Sequence, residues 1–240
     1  MVLPFIASQD ELCPANVNAI YRKARFGRVS GIPSGATDSA YAKHGKRFLD
    51  LALILLALPV VVMVTLVCAA VLWLESGLPF YWQKRLGRNG RTFHILKLRT
   101  MVRNADAQLA QCLARDPALR EEWETTQKLK NDPRVTRVGA FLRRTSLDEL
   151  PQLWNVVKGD MSLVGPRPMM PEQLPLYGES QYYFAVRPGI TGIWQVSARN
   201  ESSFAFRYET DAEYHRTMSF RTDLKLLFRT IGVVLRGTGY

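Results

Sequence analysis

The sequence predicts a mixed α/β protein, mainly helical, that sits in one face of a membrane. It is predicted to do so through a proline-broken re-entrant membrane helix and interfacial amphipathic helices. Two observations carry this prediction: a long uncharged apolar segment, and basic residues on both sides of it. The 240 residues, 47% of them hydrophobic, suffice for one compact domain with accessory segments. A formal net charge of +11 indicates an anionic partner.

The apolar segment runs from Leu51 to Leu74 without a charged residue. A straight helix of this length measures about 36 Å, enough for a hydrocarbon core of about 30 Å. Pro59 lies inside the segment and removes a backbone donor, which leaves two arms that are each too short to cross. Both flanks are basic, whereas a simple span normally has its positive excess on one side. We therefore expect a re-entrant hairpin with both ends in the cytosol; a kinked spanning helix is the alternative.

The chain divides into three predicted parts. Residues 1–44 form a mobile N-terminal tail, residues 45–76 form the membrane helix, and residues 77–240 form a cytosolic domain. Asp50 stands at the membrane entrance, four residues after Lys46. On a helix this spacing predicts an ion pair between these two side chains.

A basic run follows the apolar segment directly. Seven basic residues and no acidic residue lie between Ser76 and Ala105: Lys84, Arg85, Arg88, Arg91, Lys97, Arg99 and Arg103. Their position beside a membrane segment favours phosphates and headgroups as partners. No nucleic-acid recognition motif accompanies the run, so we expect no nucleic-acid partner.

Local patterns predict several elements of the domain. Aromatic and alternating residues at 80–82 and 92–98 indicate two short strands with a turn between them. Residues 102–130 are predicted to be helical, with an interruption at Asp116–Pro117. Residues 219–236 have one apolar face that includes Leu227 and Phe228. This last pattern fits an interfacial helix in the headgroups and equally a helix packed on the core of the domain.

Adjacent Asp148 and Glu149 lie close to Arg143 and Arg144. Ser146 and Glu149 have the spacing of a capping box, so one interpretation is that the acids only start a helix. The same group of residues also suits phosphoryl transfer. That chemistry needs a nucleophile, a divalent cation and cationic side chains on the phosphate oxygens. A carboxylate can serve as the nucleophile.

Five segments carry motifs, at residues 46–50, 93–101, 145–155, 158–168 and 186–192. Together they resemble the bacterial sugar transferase family, the monotopic phosphoglycosyl transferases that start polysaccharide and glycoconjugate synthesis. The resemblance extends over about residues 43–238. It is closest to the short members that consist of the catalytic domain alone, which makes 77–240 the expected catalytic domain.

The resemblance implies a reaction and a site. Asp148 would attack the β-phosphate of a UDP-sugar, of glucose or galactose type, and release UMP. The covalent sugar phosphate would then pass to polyprenyl phosphate, expected to be undecaprenyl phosphate, in exopolysaccharide synthesis. Glu149 would be the catalytic partner, Mg²⁺ the cofactor with Asp148 as its ligand, and Pro59 the break in the membrane helix. The implied substrate-binding residues are Lys97, Arg143, Arg167, Arg187, Gln195 and Arg199.

The resemblance also implies the cytoplasmic face of the bacterial inner membrane as the location, with the lipid bilayer as a partner. The sequence leaves the oligomeric state open, and a homodimer is one alternative. A second function from another class is a non-enzymatic membrane scaffold that binds anionic lipids or assembly partners. That alternative explains the charge and the anchor, but gives no reason for acids and arginines to cluster at residues 143–167.

Overall fold

The computed structural model describes residues 38–126, 129, 131–177, 180–197 and 204–236. Most of the predicted N-terminal tail lies outside these residues. The tail's last four residues, 41–44, belong to a π-helical turn, Tyr41–Gly45, that leads directly into the first long helix. The described residues are mainly helical, with two small sheets.

Helix α1, Lys46–Ser76, is the predicted membrane helix. Together with the preceding turn it is long and apolar enough to cross a membrane, and among the described residues no other helix is. Many of its central side chains, such as Leu55, Leu56, Met63 and Leu66, are exposed, as expected of a surface covered by lipid. The helical assignment continues through Pro59, so this proline does not end the helix. The hairpin geometry stays a prediction.

The N-terminal end of α1 is bonded to three elements of the domain. Lys46 Nζ lies 2.6 Å from Asp223 Oδ2, and Asp50 accepts hydrogen bonds from the Ser162 hydroxyl and the Leu163 backbone N–H. Arg47 donates to two backbone carbonyls of helix α5, residues 153–158. The predicted Lys46–Asp50 ion pair is therefore wrong. Although helical spacing places the two residues near each other, each side chain bonds instead with a distant part of the chain. Lys46 pairs with Asp223, and Asp50 accepts from Ser162 and Leu163.

The C-terminal end of α1 is bonded to the same domain. The Glu75 carboxylate accepts a hydrogen bond of 2.9 Å from the Thr136 hydroxyl. Arg103 Nε donates to the Ser76 carbonyl at 3.0 Å. Nearby, Ala69 and Leu72 are buried in one apolar cluster with Leu98 and Leu142. Both ends of the helix are thus fixed to the domain, while the segment between them is not.

The two predicted strands form an antiparallel hairpin, with β1 at Phe80–Leu86 and β2 at Thr92–Leu98. The turn between them uses Asn89 and Gly90, both at positive φ, which confirms the predicted turn. The helical region that follows is interrupted where predicted, into α2, Ala105–Arg115, and α3, Pro117–Thr126. The Asp116 carboxylate accepts hydrogen bonds from the first backbone N–H groups of α3.

The remaining elements enclose the core. Helix α4 covers Arg137–Thr145, and a 3₁₀ turn, Leu147–Gln152, leads into α5, Leu153–Lys158. Strand β3, Ser162–Val164, pairs in parallel with β4, Gly189–Thr191. Four further helices precede the last one: α6, Leu174–Tyr177; α7, Gln181–Ala185; α8, Ile193–Ser197; and α9, Phe204–Thr217.

The last helix, α10, covers Phe220–Leu235 and has two apolar sides. One side packs Leu226 and Leu227 into the core with Tyr214 and Val164. The other side exposes a separate stripe of apolar side chains, Phe220, Phe228, Ile231 and Leu235. The single apolar face predicted from sequence is thus divided between the domain core and the surface.

Candidate active site

The acidic pair stands on a sharp bend of the chain. Helix α4 ends at Ser146, which adopts the left-handed conformation with φ 57°, and the 3₁₀ turn that carries Asp148 and Glu149 starts directly after it. The Ser146 side chain does not cap this turn. The predicted capping box is therefore wrong. The left-handed backbone of Ser146 makes the bend, and the two acids lie in the first turn of the 3₁₀ segment that follows.

Lys97, on β2, contacts both acids. Its Nζ lies 2.9 Å from Glu149 Oε1 and 3.8 Å from Asp148 Oδ2. Asp148 is buried, with 8% of its surface exposed. Burial raises the pKa of Asp148, and Glu149 adds to the increase, while Lys97, Arg143 and Arg167 oppose it. Three cations around one buried carboxylate favour its ionised form, which is the form that can act as a nucleophile.

Two of the predicted arginines lie beside the acids. Arg143 extends from α4 and donates through Nε to the Thr100 hydroxyl at 2.8 Å, and its charge lowers the pKa of Asp148. Arg167 lines a narrow cleft together with Lys97 and Glu149. The other residues lining this cleft are Arg85, Ile95, Gln152, Pro168, Gly189 and Ile190. The cleft is therefore mainly cationic, with Glu149 as its acidic lining residue.

Asn155 fixes the acidic turn to the strand that carries Lys97. This side chain is fully buried. Its Oδ1 accepts from the Leu96 backbone N–H at 3.1 Å, and its Nδ2 donates to the His94 carbonyl at 2.7 Å. The Asn155 side chain thus bonds with one N–H and one carbonyl of the β2 backbone, as the backbone of a neighbouring strand would. Sequence reasoning missed this role, because an Asn inside a helical segment gives no sign of which distant backbone it contacts.

Arg167 is positioned by close packing between two loops. Gly165 N–H donates to the Thr191 carbonyl, and Gly189 N–H donates to the Pro166 carbonyl, each at 2.8 Å. A Cβ atom on Gly189 would lie 2.1 Å from the Gly165 nitrogen, so only glycine permits this approach. The prolines on either side of Arg167 stiffen the same loop. This packing places the Arg167 guanidinium over the ring of Trp194, 5.4 Å from its centroid.

Two predicted substrate-binding residues, Arg187 and Gln195, lie apart from this group, and a third falls outside the described residues. Arg187 donates through Nε to the Gly159 carbonyl at 2.9 Å, next to the base of the membrane helix. Gln195 is buried beside Trp194, and neither polar atom of its side chain has a hydrogen-bond partner in the described part of the chain. Arg199 lies outside the described residues. The substrate roles of these three stay predictions.

The structure adds two arginines that sequence reasoning did not single out as site residues. Arg85, on β1, lines the cleft with Lys97. In the hairpin register Arg85 lies opposite Phe93, and Lys97 lies opposite Tyr81. Arg85 and Lys97 therefore share one face of the hairpin. Arg207, on α9, stacks on Trp194 from 5.3 Å.

The site places a buried carboxylate among cationic side chains of the kind that suit phosphate oxygens. The described residues contain no group of three or more His, Cys, Asp or Glu side chains that could hold a metal ion alone. Asp148 and Glu149 nevertheless provide the hard oxygen ligands that Mg²⁺ takes when substrate phosphates and water complete its shell. The fold and the site thus combine a buried carboxylate, a cationic cleft and a long apolar helix in one chain.

Comparison with known proteins gives the family. The model of the family described as bacterial sugar transferase matches residues 41–237. The chain therefore belongs to the bacterial sugar transferase family. This finding confirms the resemblance that the five sequence motifs indicated.

The names of individual relatives agree with this family assignment. The chain is 45% identical over 235 residues to the UDP-galactose-lipid carrier transferase of Erwinia amylovora, covering 88% of this chain and 48% of the relative. It is 49% identical over 166 residues to the undecaprenyl-phosphate galactose phosphotransferase of Salmonella typhimurium, covering 69% and 35%. It is 45% identical over 196 residues to the exopolysaccharide production protein ExoY of Sinorhizobium fredii, covering 81% and 87%. The chain thus spans half or less of the first two relatives and most of the third.

Proposed function

We propose that this protein transfers a sugar 1-phosphate from a UDP-sugar to undecaprenyl phosphate and releases UMP. The observation that carries the proposal is the buried Asp148 beside Glu149, Lys97, Arg143 and Arg167, in a chain of the bacterial sugar transferase family. The names of the relatives support a lipid-carrier acceptor and a role in exopolysaccharide synthesis. Two of those names contain galactose, so UDP-galactose is the first donor to test, followed by UDP-glucose.

In the first step, a carboxylate oxygen of Asp148 attacks the β-phosphorus of the UDP-sugar. The bond between that phosphorus and the oxygen bridging it to the α-phosphate breaks, and the bridging oxygen leaves with UMP. An aspartyl-phosphosugar remains on the enzyme. The charges of Lys97, Arg143 and Arg167 favour the ionised form of Asp148 before attack, and they stabilise negative charge on the phosphate oxygens during it.

In the second step, a phosphate oxygen of undecaprenyl phosphate attacks the same phosphorus. The bond to Asp148 breaks, the carboxylate is regenerated, and undecaprenyl diphosphate-sugar leaves. Glu149 is held by Lys97 at 2.9 Å, next to Asp148. At that position its negative charge assists cation binding beside the reacting phosphate.

Asp148 and Glu149 are the residues that would hold Mg²⁺ in this site. When bound, Mg²⁺ would neutralise charge on the substrate phosphates. The two acids are paired with a lysine here, and two carboxylates completed by substrate oxygens are a usual protein contribution to a Mg²⁺ site.

The attachment of α1 at both ends supports a re-entrant helix. A helix that crosses a bilayer has its two ends on opposite sides. Here Lys46 and Asp50 at one end, and Glu75 and Ser76 at the other, are bonded to the same domain. Both ends are therefore expected on the cytoplasmic side of the inner membrane, where the domain also lies. Pro59 is the residue at which we place the bend.

The exposed side of α10 supports contact with the same membrane surface. Its apolar stripe contains Phe220, Phe228, Ile231 and Leu235. Four basic residues lie along one side of this stripe: Arg221, Lys225, Arg229 and Arg236. An apolar stripe bordered by basic side chains is the pattern of a helix that lies in the headgroup region.

Release of UMP tests the enzymatic proposal. Purified protein is incubated with each UDP-sugar and Mg²⁺, with and without undecaprenyl phosphate. We expect UMP release that continues only when the acceptor is present. A non-enzymatic scaffold would bind anionic lipid but release no UMP from any donor.

Cysteine labelling tests the membrane topology. Single cysteines replace the exposed residues Asp38 and Glu121 in a chain whose native cysteines have been removed. A membrane-impermeant thiol reagent is then added to intact cells and to opened cells. We expect both positions to react only after the cells are opened. Reaction of Asp38→Cys alone in intact cells would rule out the hairpin.

A further inference from the structure

Three guanidinium groups from distant parts of the chain lie close to one another. Arg85 and Arg167 line the same cleft. Arg167 and Arg207 both stack on Trp194, with guanidinium carbons 5.4 and 5.3 Å from the ring centroid. Arg207 Nη2 also donates to the Arg167 carbonyl at 3.3 Å. We call these three residues the arginine cluster.

The backbone explains why Arg85 and Arg167 are neighbours. Leu86, next to Arg85, forms an isolated antiparallel bridge with Met169, two residues after Arg167. The buried Tyr183 hydroxyl closes this bridge, since it donates to the Leu86 carbonyl and accepts from the Met169 N–H. The proximity of the two arginines is therefore a built feature of the core.

Among the described residues, carboxylates act on the positive charge of the cluster only from a distance, Asp211 on Arg207 and Glu172 on Arg85. None of its three members forms an ion pair within 4.0 Å with a described carboxylate. The Nε atom of Arg85 is buried, and it has no hydrogen-bond partner among the described residues. Burial lowers the pKa of Arg85 to about 10, and the charge of Arg167 contributes to the decrease. Burial and the charge of Arg167 also lower the pKa of Arg207.

Gathering like charges in a partly buried position is unfavourable unless an anion joins them. Guanidinium groups offer planar, paired donors that match two oxygens of one phosphate group. Arg85 and Arg167 line the same cleft as Lys97 and Glu149, so an anion held by these two arginines lies beside the proposed reaction centre.

We propose that Arg85, Arg167 and Arg207 form a second phosphate-binding subsite, which takes the terminal phosphate of a phosphate monoester. The inference rests on the proposed function, which supplies two such groups: the UMP that leaves in the first step and the undecaprenyl phosphate that enters in the second. Since the first departs before the second attacks, one subsite can serve both in turn. Arg85 and Arg207 thereby become binding residues in addition to Arg167.

Binding measurements without turnover test the subsite. The full-length protein in detergent is titrated with UMP, with a short-chain polyprenyl phosphate and with uridine, which lacks the phosphate. We expect Arg85→Gln and Arg207→Gln each to weaken binding of at least one phosphate probe about tenfold or more, as for loss of a charge-assisted contact, while uridine binding is unchanged. The control Arg91→Gln, which removes an exposed arginine of the same hairpin, should bind both probes within about twofold of wild type.

The two probes distinguish the source of the phosphate. A loss confined to UMP assigns the subsite to the leaving nucleotide, and a loss confined to the polyprenyl phosphate assigns it to the acceptor. Binding of both probes within about twofold of wild type in both cluster variants would overturn the proposal. These measurements need no nucleophile. The subsite proposal can therefore be contradicted while the proposed Asp148 chemistry holds, and it can be supported even if that chemistry is wrong.

A second measurement on the unmodified protein covers the case in which a variant does not fold. Phenylglyoxal modifies accessible arginines, and mass spectrometry locates the products. We expect saturating UMP or polyprenyl phosphate to protect Arg85 and Arg167, and to leave Arg91 unprotected. Equal modification of Arg85 with and without both probes would contradict the subsite.

Discussion

Lys97 Nζ lies 2.9 Å from Glu149 Oε1 and 3.8 Å from Asp148 Oδ2, so one ammonium group serves two adjacent carboxylates. The closer contact is with Glu149. Asp148 is thus the acid that retains more of its reactivity, because its carboxylate is stabilised but not engaged in the short contact. This arrangement supports different roles for the two acids, with Asp148 as the proposed nucleophile and Glu149 as its charged neighbour.

Removal of Lys97 should change the pH dependence of the reaction. Burial raises the pKa of Asp148, and the positive charge of Lys97 opposes that increase. In Lys97→Met we therefore expect the acidic limb of the kcat/KM profile to move to higher pH, together with a loss of roughly 10²-fold or more at neutral pH. Lys97→Arg keeps the charge and should keep the limb near its original position. An unchanged acidic limb in Lys97→Met would argue against this electrostatic role.

Loss of the Asn155 side chain should lower the stability of the folded protein, and not only the rate of the reaction. Substitution Asn155→Ala leaves the Leu96 N–H and the His94 carbonyl without this partner. We expect a decrease of about 3 kcal/mol in the free energy of unfolding, seen as a lower Tm in detergent. Asn104→Ala, at an exposed position, is the matched control and should leave Tm within about a degree. Equal Tm values for both variants would show that the contact of Asn155 with β2 is dispensable.

Asp223 should be required for attachment of the membrane helix. Its carboxylate accepts from Lys46 and Tyr41 at the start of the helical segment and from Tyr214 in the core. Asp223→Ala leaves the Lys46 charge buried and unpaired, which we expect to cost about 3–5 kcal/mol of stability. Thermal unfolding in detergent measures the loss, with the exposed Asp106→Ala as control. If Asp223→Ala unfolds at the same temperature as Asp106→Ala, the contact does not anchor the helix.

Asp211 should make stability depend on pH near neutrality. Burial raises its pKa from 3.8 to about 7, against the opposing effects of the Tyr177 hydrogen bond and Arg207. Between these values the folded protein holds a proton that the unfolded chain has released, so stability falls as pH rises from about 4 to 7. Asp211→Asn cannot titrate and keeps an acceptor for Tyr177. We expect the Tm of Asp211→Asn to gain on that of wild type between pH 5 and pH 8; a constant difference would contradict the prediction.

The elements that depend on local pattern could be predicted from the sequence. The strand–turn–strand pattern at residues 80–98 and the break at Asp116–Pro117 are confirmed, because turn residues and proline act within a few positions of themselves. The apolar α1 was equally clear from composition. The same local reasoning was wrong at Lys46 and Ser146, where a distant carboxylate and a left-handed backbone replaced the expected neighbouring contacts.

The site was predicted in part. Motifs placed Asp148, Glu149, Lys97 and Arg167 in one site, and the structure brings these four together. Arg85 could have been found from the hairpin alone, since residues 85 and 97 face the same side once the register is known. Nothing local identifies Arg207, which lies 40 residues from Arg167 and reaches it through Trp194 and a backbone carbonyl.

The central claim is that Asp148 forms a covalent bond to the sugar phosphate. The most direct measurement incubates the protein with UDP-sugar labelled in the β-phosphate, omits the acceptor, and follows both labelled protein and released UMP. We expect wild type to form one labelled adduct per active site with an equal amount of UMP, and Asp148→Asn to form neither. A labelled adduct of wild-type yield in Asp148→Asn would contradict the account.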